Sequence, residues 1–424
     1  MLYILWDDSH IWGLLAARAA EAMALPRRLV RARDMADGLL RREPPSLLFV
    51  PGGSARHKAR SLGKAGMDAL RAYVGGGGGY MGFCGGAGLA LTHKDDAEGL
   101  GLCPWKRGSF DDRLQHFMSG HLHAALPATH GVPEPPESAA PLLSAASLRL
   151  PVWWPGRFAP QNDPSVTVLA SYERPADDFW LADLPIASLP PDTFASWHDL
   201  YGLSFTPTFL AGQPCVVCGE YGRGSYLLSY SHLETPDSPE ANRWFAAMLR
   251  ERGGLEPAVD HLPPWTMRRD DARWQDPDLA VIDADLRAVL RTGLEHGLLF
   301  ERTDWLFGWR TGIPGAHLNN LWAALRAIMD KEPGNEALAC WKDRRKDLLA
   351  ASSLFSKACI QYFLAERLSQ TLSKVMPDAV PPELLKDQRD ALFGPPMIAS
   401  GPYRELMEPL DELAFLQLGG EPLF

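Results

Sequence analysis

A cysteine inside a glycine-rich turn is the first residue in this sequence whose surroundings suggest chemistry. Cys84 lies in the run Gly82-Phe83-Cys84-Gly85-Gly86. A strand that turns at once into a helix needs small neighbours, because the turn residue is strained and the helix packs closely. A thiol at that point also lies at a helix N-terminus, where the dipole favours the thiolate. This segment alone equally allows a buried structural cysteine, so both interpretations stay open.

A histidine and a carboxylate far downstream favour the nucleophile. His232 and Glu234 follow the apolar run Tyr226–Tyr230, which is predicted to be a strand. In an extended segment the two side chains project to the same side. A carboxylate beside an imidazole fixes its tautomer and supports the imidazolium that forms when it takes a thiol proton. A His-x-Glu pair in a surface loop is the alternative, but this position after a strand is the one that a Cys–His–Glu triad requires.

Backbone amides that could hold an oxyanion come from a third strand end. Gly52 and Gly53 follow the apolar run that ends at Val50, and glycines there let N–H groups approach a ligand. We expect the amides of Gly53 and Gly85 to serve together. Asp8, at the end of the first predicted strand, is available to contact whatever binds.

The other cysteines and histidines predict no metal site and no cofactor. Cys215 and Cys218 lie in a predicted strand, where residues three apart point to opposite faces. No second pair stands at zinc spacing. His121 and His123 could share one face of a strand and bind a metal or line a cleft, but a solvated pair in a loop is the simpler interpretation.

These candidate residues are positioned by alternating strands and helices. Short apolar runs at residues 2–6, 46–50 and 80–84 alternate with segments of helical periodicity. This alternation predicts an α/β domain with a parallel sheet covered on both faces, whose carboxyl strand ends carry the chemistry. We expect this domain to span residues 1–255, with an insertion at about 94–164. A mainly α-helical domain follows over 256–424.

Composition excludes several classes of function. The chain has 52 acidic and 42 basic side chains, a formal charge of −10, which disfavours nucleic acid as a partner. No stretch approaches the ~20 apolar residues of a membrane-spanning helix. Six cysteines in 424 residues are too few for a disulfide framework. The sequence therefore predicts a cytoplasmic protein.

Three blocks of sequence resemble the class I glutamine amidotransferase-like superfamily, and more closely the biotin–protein ligase N-terminal-domain family. They are FVPGG, LRAYVGGGGGYMGFCGGAGLAL, and GEYGRGSYLLSYSHLE with the ANRWF segment after it. Judged by the usual length of a domain, the resemblance covers about the first 250 residues. It implies a flavodoxin-like doubly wound sheet, with Cys84 as nucleophile, His232 as base and Glu234 as the residue that orients the base.

The departures from that pattern shape the functional prediction. Glutamine-using relatives carry Gln or Glu four residues after the cysteine, where this chain has Gly88, and glycine leaves room on that wall of the pocket. The usual proline between His and Glu is Leu233, and the biotin-ligase signature is absent. We therefore predict a cysteine-dependent hydrolase or transferase acting on a small amide or related carbonyl. The alternative is a non-catalytic protein that binds a small molecule or partner on the same scaffold, without biotin ligase or glutaminase activity. The helical domain is then a candidate surface for a protein partner.

Overall fold

The computed structural model describes residues 1–95, 97–108, 117–127, 147–161, 163–203, 206–267, 272–310, 314–395 and 399–419. The chain divides into two compact units, residues 1–264 and 265–424.

The first unit combines a large sheet with helices. Its strands are Leu2–Leu5 (β1), Arg27–Val30 (β2), Leu47–Val50 (β3), Gly79–Phe83 (β4), Lys106–Arg107 (β5), Met118–Ala125 (β6), Ser147–Trp153 (β7), Phe158–Ala159 (β8), Val166–Pro175 (β9), Trp180–Leu181 (β10), Leu184–Pro185 (β11), Pro214–Tyr221 (β12) and Gly224–Ser229 (β13). Its α-helices are Ile11–Ala22 (α1), Ala32–Ala36 (α2), Leu39–Arg42 (α3), Ala55–Gly75 (α4), Gly85–Ala90 (α5), Thr193–Tyr201 (α6) and Pro239–Gly253 (α7), and short 3-10 turns cover Ile186–Ser188 and Pro207–Leu210.

Parallel strands form the part of the sheet that carries the predicted site. They run in the order β2-β1-β3-β4-β13, and each neighbouring pair is parallel. The order reverses direction at β1, so the carboxyl ends of β1 and β3 flank the switch point where ligands bind in open α/β sheets. The ends of β4 and β13 adjoin the same edge. All of the predicted site residues therefore come from neighbouring strand ends.

Helices cover both faces of these parallel strands, because both faces are apolar. On one face Leu48, Val50 and Tyr80 pack with Leu62 and Leu70 of α4. On the other face Phe49 and Phe83 contact each other and Phe245 of α7, with ring centroids 4.9–5.7 Å apart. The predicted doubly wound α/β class is confirmed.

An antiparallel extension continues the sheet beyond β13. Strand β12 pairs antiparallel with β13 through a tight turn at residues 222–223, and β9, β6, β7, β10 and β11 follow. Strands β5–β8 lie within the insertion predicted at about 94–164, of which residues 96, 109–116, 128–146 and 162 fall outside the described part of the chain. His121 and His123 lie in strand β6, so the expectation of a solvated loop pair was wrong.

The second unit is mainly helical, as predicted, but it also holds a small hairpin. Its helices are Pro277–Glu295 (α8), Gly315–Met329 (α9), Asn335–Leu372 (α10), Pro382–Phe393 (α11) and Gly401–Gln417 (α12), and its antiparallel strands are Leu299–Thr303 (β14) and Leu306–Trp309 (β15). The helical pattern of the sequence extends to Phe300. Instead α8 ends at Glu295, because Gly297 adopts a positive φ of 67° and turns the chain into the hairpin.

One helix within the described residues, α10, is long and apolar enough to cross a membrane by length and composition. Its apolar side chains Phe355, Cys359 and Phe363 are buried, and the helix packs against α8 and α12. Leu354, Leu364 and Leu368 of the same helix are exposed, so packing inside the unit covers only part of its apolar surface. One such helix is weak evidence for a membrane span.

Candidate active site

Cys84 is the turn residue between a strand and a helix. It follows β4 and precedes α5, with φ 48° and ψ −104°, a backbone conformation that non-glycine residues rarely adopt. Its N–H donates to the Ser229 carbonyl at 2.7 Å, which extends the β4–β13 ladder to the turn itself. The thiol is held half-buried at the carboxyl end of the sheet in a strained elbow.

The glycines after Cys84 let the elbow pack against the neighbouring strand end. A Cβ on Gly86 would lie 1.9 Å from the Val50 carbonyl oxygen, and one on Gly85 would lie 2.0 Å from the Gly53 carbonyl oxygen. Below, the buried Tyr80 hydroxyl donates to the Gly86 carbonyl at 2.7 Å. The small residues predicted by the elbow pattern are thus required by backbone contact.

His232 and Glu234 meet in the loop that follows β13. His232 Nδ1 lies 2.9 Å from Glu234 Oε1, and both side chains are fully buried. The expected extended segment is wrong: the Thr235 N–H donates to the His232 carbonyl at 3.0 Å, so residues 232–235 form a turn. A turn brings the two side chains together more closely than a strand would.

Electrostatic coupling links the thiol to this pair. Burial opposes ionisation of Cys84, but the His232 imidazole, the charge of Arg107 and the Gly85 N–H together outweigh it and lower the pKa of the thiol. Burial likewise opposes the charged imidazole, but the Glu234 carboxylate and Cys84 raise the pKa of His232 to about 10. Glu234 occupies Nδ1, which leaves Nε2 for the thiol. The pair therefore favours thiolate and imidazolium.

Trp12 and Gly52 hold the imidazole plane, a role for Trp12 that was not expected from the sequence. The Trp12 and His232 rings stack with centroids 4.1 Å apart and planes at 30°. A Cβ on Gly52 would lie 2.7 Å from His232 Cε1 and 2.8 Å from Trp12 Cγ. Gly52 is therefore a contact surface for the ring. The only sequence signal for Trp12 is an aromatic residue in the first turn of the helix after β1.

The two glycines expected to donate to an oxyanion have adjoining backbones. A Cβ built on Gly85 lies 3.1 Å from the Gly53 nitrogen, so the two backbones are in contact beside Cys84. Gly53 has φ 110°, and a Cβ there would lie 2.0 Å from the Asp8 carbonyl oxygen. Asp8 reaches the site through this backbone contact, while its carboxylate accepts a hydrogen bond from Ser61 at 2.6 Å.

The loop after β1 holds a buried cation that sequence reasoning missed. Lys58 of α4 is fully buried, and its Nζ donates to the Asp7 carbonyl at 2.9 Å and to Ser9 Oγ. Next to it His10 adopts φ 49°, and burial lowers the pKa of its imidazole to about 4. His10 is therefore neutral at physiological pH. The sequence gives no sign that Lys58 is buried against this loop, because a single lysine among apolar residues of a helix is usually exposed.

Asn242, also missed, fixes the loop that carries His232. From α7 its Nδ2 donates to the carbonyls of Leu233 and Thr235 at 2.8 and 2.9 Å, and its Oδ1 accepts from the Leu262 N–H at 3.1 Å. Asn242 thus ties the backbone on either side of Glu234 to α7.

Gly88 leaves less room than the sequence suggested. A Cβ there would lie 3.3 Å from Ala55 Cβ, and the Gly88 carbonyl lies 3.1 Å from His93 Nε2. Ala55, in the first turn of α4, therefore lies close to one side of this wall.

The other five cysteines lie in environments that disfavour the thiolate. Burial raises the pKa of each of them: Cys103, Cys215, Cys218, Cys340 and Cys359. Within the described part of the chain, no group of three or more His, Cys, Asp or Glu side chains could hold a metal ion.

Comparison with known proteins gives distant structural similarity only. No family model and no curated protein matches the sequence. A protein named as part of a GMP synthase from Thermoplasma acidophilum is 10% identical, with TM-score 0.35 over 60% of this chain and 92% of its own. A ThuA-like protein from Bacteroides uniformis is 14% identical, with TM-score 0.33 over 58% of this chain and 90% of its own.

A GH42 β-galactosidase mutant from G. stearothermophilus is 14% identical, with TM-score 0.31 over 61% of this chain. The chain spans about 30% of the length of that enzyme. Similarity at this level does not establish a shared function.

Proposed function

We propose that the first unit is a thiol hydrolase or transferase of the glutamine amidotransferase-like superfamily, acting on a small amide or related carbonyl. The observation that carries the proposal is Cys84, held at a strained elbow with a lowered pKa by an imidazole whose Nδ1 is bound to Glu234. Nucleophile, base and orienting carboxylate come from neighbouring strand ends. Activation of a thiol by an adjacent oriented base is the general arrangement of covalent catalysis.

The proposed reaction proceeds through a thioester. The Cys84 thiolate attacks the carbonyl carbon, forming a C–S bond, while the amides of Gly53 and Gly85 donate to the developing oxyanion. His232 Nε2 gives its proton to the leaving amine as the C–N bond breaks. Water or an acceptor amine then attacks the thioester and passes a proton to His232, and Cys84 leaves as the thiolate.

The pocket wall restricts the substrate. Gly88 offers no side-chain hydrogen bond, and Ala55 lies against it. A polar ligand group placed there loses a partner worth roughly 0.5–1.5 kcal/mol. We therefore propose a substrate other than free glutamine, and a chain without biotin ligase activity.

One observation favours a binding function on the same scaffold. His232 Nε2 is buried and makes no hydrogen bond of normal geometry with any described residue, although the Cys84 thiol lies close enough to raise the pKa of the ring. A thiol and imidazole that never close to hydrogen-bonding distance would hold a ligand without cleaving it.

Comparison of wild type with Cys84→Ala on a panel of amides and esters separates the two functions. The matched control is Cys340→Ala, since Cys340 is half-buried like Cys84 but has a raised pKa. We expect turnover of at least one substrate class that Cys84→Ala abolishes and Cys340→Ala retains. Ligand binding by both variants, with no turnover in wild type, would contradict the catalytic proposal.

A further inference from the structure

A second chain of nucleophile, imidazole and carboxylate lies outside the Cys84 site. His121 Nε2 lies 2.9 Å from Ser238 Oγ, and His121 Nδ1 lies 2.6 Å from Asp178 Oδ2. Three separate segments contribute these residues: strand β6, the turn between β9 and β10, and the residue before α7. With Nδ1–H donating to the carboxylate, Nε2 is left to accept the serine proton, the same order of contacts as in Ser–His–Asp hydrolases.

Ser238 does not perform the structural task that its position predicts. It is the N-cap residue of α7, where a serine side chain normally accepts a hydrogen bond from the N–H of the second or third helical residue. Here the side chain makes no capping bond; its hydroxyl lies 2.9 Å from His121 Nε2, with a longer contact of 3.5 Å to the Pro236 carbonyl. The hydroxyl is therefore oriented toward a base at the positive end of a helix of 15 residues.

Further contacts fix Asp178, the carboxylate end of the Ser238–His121–Asp178 chain of contacts, which we call the relay. Asp178 Oδ1 accepts from Arg149 Nη2 at 2.9 Å, and the Arg149 N–H donates to Glu240 Oε2 at 2.6 Å. Burial disfavours the charged form of Asp178, but His121 and Arg149 outweigh it and hold its pKa well below the usual range. Asp178 is thus ionised at neutral pH and keeps His121 in the tautomer that accepts at Nε2.

Exposure decreases along the relay from the carboxylate to the hydroxyl. The side chains of Asp178 and His121 are 35% and 13% exposed, and Ser238 is 3% exposed. The neighbours of Ser238 in sequence, Asp237 and Pro239, line a cavity of about 390 Å³, whose lining does not include Ser238, His121 or Asp178 themselves. That volume falls in the range of small-molecule pockets, about 300–1,000 Å³.

We propose that Ser238, His121 and Asp178 form a second acyl-transfer centre, which takes small esters or other activated acyl groups. Ser238 Oγ attacks the acyl carbon while its proton passes to His121 Nε2. The ester C–O bond breaks, and the leaving alkoxide takes that proton from His121. Water then attacks the acyl-serine with His121 as base, releasing the acid and restoring the Ser238 hydroxyl.

The N–H groups at the start of α7 would receive the oxyanion in this step. Ser238 leaves them uncapped by its side chain, and Pro239 at the first helical position has no N–H of its own. The amides of Glu240 and Ala241 are the nearest helical N–H groups to the hydroxyl in sequence. Helix N-termini stabilise anions for this reason.

The test is labelling of the full-length protein by a fluorophosphonate probe in a Cys84→Ala background, which removes the thiol site. The probe forms an Oγ–P bond and releases fluoride, and mass mapping identifies the modified serine. We expect Ser238 to be modified, and His121→Gln or Asp178→Asn to slow the modification by roughly 100-fold. Ser196→Ala, at an exposed serine of α6, is the matched control that retains the rate.

Two results would overturn the proposal. In the first, Ser238 stays unmodified although the circular dichroism spectrum shows a folded protein. Ser238 would then only link β6 to α7 and would not be a nucleophile. Labelling that is equally fast in a folded Asp178→Asn variant shows that the relay does not activate the hydroxyl. Hydrolysis of p-nitrophenyl acetate by the Cys84→Ala protein gives a second measurement, which Ser238→Ala abolishes if the proposal is right.

Discussion

Replacing Glu234 by glutamine tests whether a buried carboxylate controls the reactivity of Cys84. The two side chains have nearly the same shape, so His232 Nδ1 keeps a hydrogen-bonding neighbour at the present 2.9 Å separation from Oε1. What is lost is the negative charge that raises the pKa of His232 to about 10 against the effect of burial. In Glu234→Gln that charge no longer opposes the effect of burial on the pKa of His232, so we expect the imidazole to be neutral at pH 7.

The size of the effect follows from the ionised fraction of the thiol. Without an imidazolium partner, a thiol with pKa ~8.5 is about 0.3% ionised at pH 6. The wild-type thiol has a lowered pKa and is more ionised at that pH. For each unit by which the substitution raises the pKa of Cys84, the thiolate fraction at pH 6 falls about tenfold. The thiolate that remains is about threefold more nucleophilic, because the Brønsted slope is ~0.4–0.5. We therefore expect a net loss of about threefold in rate for each unit.

The assay is the rate of iodoacetamide modification of Cys84 from pH 5 to 10, followed by peptide mass mapping. The other five thiols have raised pKa values and do not compete at low pH. We expect the midpoint of the wild-type profile to lie below ~8.5 and that of Glu234→Gln to lie at or above it. Glu220→Gln, at an exposed carboxylate of β12, is the matched control that keeps the wild-type midpoint.

An unchanged midpoint in a folded Glu234→Gln protein would refute this account. It would mean that Glu234 does not act on the thiol through His232, and that the charge of Arg107 and the Gly85 N–H are what lower its pKa. Faster modification of Cys103 or Cys215 than of Cys84 in wild type would refute the elbow interpretation directly.

Three further outcomes follow from the same contacts. In Gly52→Ala the new methyl group overlaps the His232 and Trp12 rings, so we expect labelling of Cys84 at pH 6 to slow while the thermal melt shows a folded protein. Asn242→Ala removes the hydrogen-bond partner of three backbone groups, and each group left unsatisfied destabilises the fold by about 1–3 kcal/mol. We expect urea titration to give a lower free energy of unfolding. We also expect negligible ammonia release from free glutamine by the isolated protein, and robust release that depends on Cys84 would show that Gly88 does not limit specificity.

Local pattern was enough to predict the elements that form the site. The apolar runs at β1, β3 and β4 are each buried along their whole length, so their sequences carry a clear strand signal. Gly85 and Gly86 were predicted as small residues because an elbow needs close backbone approach, which is a local requirement. The carboxyl-end placement of Cys84 and His232 followed from the rule that parallel strands share one direction.

Long-range packing decided what the pattern could not. Trp12 stacks on His232 from a helix 220 residues earlier in the chain, and no spacing rule connects positions so far apart. The same holds for His121 and Ser238, 117 residues apart, whose contact depends on how the antiparallel strands register against α7. Gly297 ended a helix that periodicity alone extended, because one positive φ outweighs the propensity of its neighbours.

By itself, therefore, the sequence determined the α/β class, the elbow at Cys84 and the pairing of His232 with Glu234, since each depends on residues close together in the chain. The tertiary structure decided the electrostatics: how deeply His232 is buried, which groups face it and hence which protonation state it favours. It also decided that Gly88 lies against Ala55. Burial and distance depend on the packing of segments that are remote in sequence, and the free energy of a charge depends on both.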